Sequence, residues 1–266
     1  CNMCKNTLLE EAYRLFVKEY PDFPYQLNDI MLWEAPEGAY SSVYQNAARI
    51  LRLEVKSTTV QLEQYAVQLR AELLKTSKKA IIIIRESLLE PSDESLRIVL
   101  HELAHAYCDS MSKNMPPNDE VMRFLFQIGE RMWKEYTAEY LVTKIFLLEE
   151  NWSQSSIERE FKSLLYNLSF YPERLGFFFI KCKITATSSI QVAEAVGIKD
   201  ETGATKKLIA VMSKMQNILE KELNQSTMLE VSNEFLIQLG LEIVTFVYYY
   251  FQCYNHIETF LKQTEG

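Results

Sequence analysis

Apolar residues in this chain recur mainly every three to four positions, the spacing that gives a helix one buried face. Residues 7–20 carry the pattern first, and Pro21 and Pro24 end it. Residues 25–56 mix short apolar runs with Pro36 and Gly38, and residues 50–55 alternate as a strand does, so a small sheet is expected to begin there. Residues 58–75 read as a helix, with Val60, Tyr65, Val67, Leu69 and Leu73 at its apolar positions. Residues 80–84, one Ala and four Ile, form the strongest strand signal: short, β-branched and bounded by charge. Pro91-Ser92-Asp93-Glu94 then opens a helix that runs to about residue 110, with Ser92 as N-cap and two acids in the first turn. A loop at 111–118 holds Pro116 and Pro117, and residues 120–148 read as one long helix. Beyond Trp152 the pattern stays helical, with breaks near Pro172, Gly197 to Gly203 and Gln225. The expected fold class is α+β, mostly α, with a domain boundary near residue 150: 1–150 with the small sheet, and 151–266 all helical.

Composition narrows the class. With 7 Gly and 7 Pro in 266 residues, the chain lacks the punctuation of a turn-rich sandwich or barrel. Hydrophobic residues at 48% and charged residues at 24% are the balance of a globular protein. A net charge of −8 argues against generic nucleic-acid binding, which relies on clustered Lys and Arg. Five scattered cysteines do not read as a disulfide framework; Cys1 and Cys4 have metal or redox spacing, but no second such pair follows. No secretory signal is visible, and the most apolar stretch, 243–251, is short for a bilayer. The expectation is a soluble, cytoplasmic protein with no membrane and no nucleic-acid partner.

Only 3 His occur in the chain, and two of them stand in His101-Glu102-Leu103-Ala104-His105 on the capped helix. Positions i and i+4 lie one above the other, about 40° apart around the axis, so two imidazoles can hold one Zn²⁺ at about 2.0–2.1 Å. Glu102 is about 100° round from His101, beside the ligands, where a carboxylate can take a proton from water whose pKa the metal lowers to about 7. The plainer alternative is a pair of histidines on an ordinary helix. Leu96, Val99, Leu100, Leu103, Ala106 and Tyr107 make one apolar arc, and His101 and His105 fall opposite it. That orientation suits a cleft rather than a core pair.

A catalytic zinc site takes a third protein ligand and keeps a position open. The zincin pattern that continues with Gly and His is ruled out, because Cys108 and Met111 occupy those positions. Asp109 comes too early for it and reads as an acid beside the ligands or at the surface. His256 can join only through fold closure. On the next helix the apolar stripe is Val121, Leu125, Ile128, Met132, Val142 and Phe146, and Glu135 and Glu139 fall inside it. Glu130, Lys134, Thr137 and Lys144 fall on its polar side. Carboxylates in an apolar stripe are expected to be paired or metal-bound.

The stretches Ile98-Val99-Leu100-His101-Glu102-Leu103-Ala104-His105-Ala106 and Glu135-Tyr136-Thr137-Ala138-Glu139 resemble the gluzincin class of zinc metallopeptidases, whose HExxH motif is followed on a later helix by a Glu ligand in an ExxA[DEN]-like segment. The resemblance implies a zincin-like core in residues 1–150, zinc held by His101, His105 and Glu135, and Glu102 as catalytic base. It puts Glu139, where the family often has Asp or Asn, behind a zinc-bound imidazole as its orienting acid. Among compact members the chain looks most like ImmA/IrrE-like proteins, which place a strand before the HExxH helix and cleave regulatory proteins. The partner so implied is a protein or peptide substrate, possible regulatory proteins included. Gluzincins generally stabilise the oxyanion with a Tyr or His from the C-terminal part; His256, among Tyr248, Tyr249, Tyr250 and Tyr254, is the one spare histidine.

The expected reaction is peptide-bond hydrolysis, with strand 80–84 pairing with the substrate backbone if it edges the cleft. The reading from a different class is a helical interaction module with a structural or vestigial metal site. In it Phe177-Phe178-Phe179 and residues 248–251 form a recognition surface.

Overall fold

A computed structural model describes residues 2–55, 57–66, 70–90, 92–146, 153–167, 172–198, 203–225 and 230–263. The chain is mostly helical with one small three-stranded sheet, an α+β arrangement dominated by α. It divides into two compact units: residues 1–110 with 141–147, and residues 111–140 with 148–266.

The first unit holds α1 (Asn2–Glu19), β1 (Ile30–Ala35), α2 (Tyr40–Leu51), α3 (Thr59–Ala66), β2 (Ala71–Lys75), β3 (Ala80–Arg85) and α4 (Asp93–Met111). The strand order is β1-β3-β2, with β1 parallel and β2 antiparallel to β3. A strand buried on both faces reads as a continuous apolar run rather than an alternation, and Ala80 to Ile84 are all buried. Ile81 and Ile83 pack with Ala47, Ala48 and Leu51 of α2 and Leu62 of α3. The alternating side chains, Ile82 and Ile84, point to the opposite face and are equally buried.

Two expected elements change. Residues 50–55 are not a strand: they close α2, whose end is turned by Arg52 at φ 56°, its N–H bonded to the Ala48 and Arg49 carbonyls. The helix expected over 58–75 is seen as α3 over Thr59–Ala66, while Ala71–Lys75 is β2 and not helix. Ala, Glu, Leu and Lys favour helix in isolation, but pairing with β3 across the Thr76 to Lys79 turn, where the Thr76 N–H donates to the Lys79 carbonyl at 2.8 Å, overrides that preference. Residues 67–69 of the expected helix lie outside the described residues. Because β3 is central, the strand expected to meet a substrate has no free edge; β1 and β2 do.

The second unit contains α5 (Glu120–Ile145) up to Tyr140, then α6 (Gln154–Asn167), α7 (Leu175–Ile184), α8 (Ser189–Ala195), α9 (Gly203–Gln225) and α10 (Asn233–Gln263). Its core gathers Phe126, Met132, Trp133, Tyr136, Phe161, Phe178, Phe179, Met212 and Phe246. Helices α5 and α10 cross so closely that a Cβ on Gly129 would lie 1.9 Å from the Leu236 carbonyl oxygen, and one on Gly240 1.9 Å from that of Leu125. Only glycine permits that approach. Among the described residues, the segment Asn233–Tyr254 is long and apolar enough to cross a membrane by length and composition, but one face of it, including Leu236, Leu239, Ile243 and Phe246, is built into this core.

Candidate metal centre

Helix α4 begins where the sequence places it. The Ser92 hydroxyl accepts the Ser95 N–H at 3.1 Å, and the buried Ser95 hydroxyl donates to the Glu90 carbonyl at 2.7 Å. The whole expected apolar arc, from Leu96 to Tyr107, is buried, and each such aliphatic side chain contributes about 1.5–3 kcal/mol. Near its end the Tyr107 hydroxyl donates to both carboxylate oxygens of Asp22, at 2.8 and 2.9 Å. Its ring packs among Phe16, Tyr20 and Phe23. Burial and that hydrogen bond push the phenol up to about 12. The helix is therefore fixed on one side, and His101 and His105 are half-buried on another.

Their Nε2 atoms lie 2.9 Å apart, with the rings at 89° to each other. Two nitrogens converge on one point, where either a shared proton or a cation can sit. Glu102, between them in sequence, is 8% exposed.

Helix α5 starts at the cap formed by Asp119, whose carboxylate accepts the Met122 N–H at 2.9 Å. Glu135 is held in a tightly packed stretch. Trp133 and Tyr136 stack at 5.8 Å, and Tyr136 is fully buried, which raises its phenol pKa. Gly176 of α7 lies against this stretch: a Cβ there would be 2.6 Å from the Met132 carbonyl oxygen and 3.2 Å from Glu135 Cβ. One ligand atom each of His101, His105 and Glu135 lies within 4.8 Å of the other two. Two imidazole nitrogens and a carboxylate oxygen are donors of the kind that metal ions take from proteins. The group can hold a metal ion.

Glu139, one turn beyond Glu135, is fully buried, as its place in the apolar stripe requires. Asp109 lies 3.3 Å from Lys75 Nζ; burial, and after it the Asp109 carboxylate, raises the Tyr25 pKa. Cys108 is a buried free thiol. His256 falls on α10, but its side chain lies outside the described residues, as do those of Cys1 and Cys4. Thr137, expected on the polar side of α5, is buried; its hydroxyl donates to the Trp133 carbonyl at 2.8 Å, which lets it sit in the core. Val121, expected in the apolar stripe, is 65% exposed in the first turn of α5.

The sequence reading missed Glu72. It lies on β2 opposite Ile83, and its buried Oε2 makes no hydrogen bond among the described residues. Burial, then the Glu102 carboxylate, push its pKa up to about 8. The available signal was the polar Thr76-Ser77-Lys78-Lys79 turn before the strong β3 strand, which marks a hairpin and so a strand through Glu72.

Comparison of the chain with family models, with curated proteins and with solved structures gives no match.

Proposed function

We propose that the chain is a zinc metallopeptidase with a gluzincin-like, zincin-type core, of the compact ImmA/IrrE-like kind, acting on a protein or peptide substrate inside the cell. The observation that carries this reading is the grouping of His101, His105 and Glu135 with the buried Glu102 adjoining the first histidine. A bound zinc ion would supply Lewis acidity for the scissile carbonyl and would lower the pKa of water.

The chain's residues divide the remaining work. His101, His105 and Glu135 would hold the ion. Glu102 takes a proton from the attacking water and passes it to the leaving amine. Glu139 orients a ligand imidazole through its other N–H, and Asp109, already engaged with Lys75, steadies the end of α4. His256 is the candidate donor to the oxyanion. The strand that offers its backbone to an extended substrate is β2, the edge strand that carries Glu72, not β3. A purely structural metal site would have no use for a carboxylate at Glu102, and this favours the enzyme over a helical interaction module.

The test compares cleavage across a proteome by the native chain and by Glu102→Gln. Substrates cut only by the native chain support the proposal; equal cleavage by both removes the assigned base.

A further inference from the structure

Helix α10 has two faces of opposite environment but similar chemistry. One face, with Leu239, Ile243, Phe246 and Tyr250, is buried. On the other, Leu241, Tyr248 and Phe251 are 50%, 58% and 52% exposed, with Val244 and Tyr254 also exposed. Leu241, Val244, Tyr248 and Phe251 follow one another at intervals of three, four and three. That is the heptad seam along which one helix packs on another. From this stripe we infer that α10 pairs with α10 of a second copy of this chain, through a two-fold interface centred on Val244 and Tyr248.

Area and charge select this occupant. The five side chains expose on the order of 500 Å² per copy, so a two-fold contact that covered all of it would bury up to about 1,000 Å², the lower limit for a specific interface. That much contiguous apolar surface is at the upper end of what a monomer leaves in water. The seam carries no charge: between Asn233 and Tyr254 the charged residues are Glu234 and Glu242. The Glu242 carboxylate is buried and paired with Lys214. Two copies, each at −8, can therefore meet here without setting like charges opposite one another. A membrane surface is the poorer occupant. Helices that lie in a bilayer interface carry Lys and Arg beside the apolar face; this segment has neither, and two lysines of α9 against it are engaged, Lys214 with Glu242 and Lys207 over the Tyr249 ring. In an isologous contact the same stripe serves both partners, and the interface closes.

Sedimentation equilibrium of the full chain at micromolar concentration tests it. The expected mass is twice the 31.1 kDa of one chain. Tyr248→Lys and, separately, Phe251→Lys are expected to weaken association at least tenfold, with unchanged circular dichroism; both side chains are exposed, so the fold tolerates the change. A native chain that stays monomeric overturns the inference. So does a dimer that neither substitution weakens, or a monomer that sediments with neutral phosphatidylcholine vesicles.

Discussion

His101 Nε2 and His105 Nε2 lie 2.9 Å apart on one turn of α4, close enough that protons and a metal ion compete for the same point. Zinc added to chelated protein is expected to raise Tm, because a ligand at about a thousand times its Kd stabilises a fold by about 4 kcal/mol. His105→Ala is expected to abolish the gain. Differential scanning fluorimetry with and without zinc reads both, and an equal gain in the variant would place the ion elsewhere.

Glu102 is buried beside that pair. Glu102→Gln keeps the shape and removes the base, so bound metal should stay at the native level while kcat/KM falls about 10²–10⁴-fold. Parallel metal analysis and peptide cleavage separate the two effects. Loss of metal in this variant would make Glu102 a ligand rather than a base.

Glu72 should make apo stability pH-dependent. Its folded pKa is raised from 4.5 to about 8, so between those values the folded chain binds more protons than the unfolded one. Its stabilising effect is full below about pH 4.5 and is lost as pH rises toward 8. Glu72→Gln, which cannot ionise, should gain relative to the native chain as pH rises, by on the order of a few kcal/mol between pH 5 and 8. Urea unfolding of both chelated proteins across that range is the check; parallel curves would contradict it.

Gly176 is expected to position Glu135. A methyl at 176 would press on the Met132 carbonyl oxygen at 2.6 Å and on Glu135 Cβ at 3.2 Å, and backbone cannot yield as a flexible side chain can. Gly176→Ala should cost about 1–3 kcal/mol and also weaken zinc binding. Gly129→Ala, which presses on Leu236 instead, should destabilise without moving the ligand. Zinc titration calorimetry on the two variants distinguishes them.

The parts of this arrangement that were legible in the sequence are those set by local chemistry. Ser92 as a cap, the apolar arc of α4 and the four-isoleucine strand each follow from a few adjacent residues. Carboxylates inside an apolar stripe demand an explanation, and this singles out Glu135 and Glu139; Glu139 is fully buried. What stayed hidden depends on distant partners. Ala71–Lys75 has helical composition and becomes a strand only beside β3, so Glu72 went unseen with it. Arg52 ends α2 in the left-handed region without the glycine or asparagine that usually marks such a turn. Phe177-Phe178-Phe179 and the run at 248–251 looked alike, yet Phe178 and Phe179 are buried while Tyr248 and Phe251 are exposed. Only the packing of whole helices decides that.

The proposed activity rests on His101, His105 and Glu135 holding one metal ion together. Elemental analysis of natively purified protein, with Glu135→Ala as comparator, tests it most directly. One zinc ion per native chain is expected, and its loss from a variant that remains folded by circular dichroism. A native chain without stoichiometric metal, or a Glu135→Ala variant that binds zinc as tightly as the native chain, would contradict it.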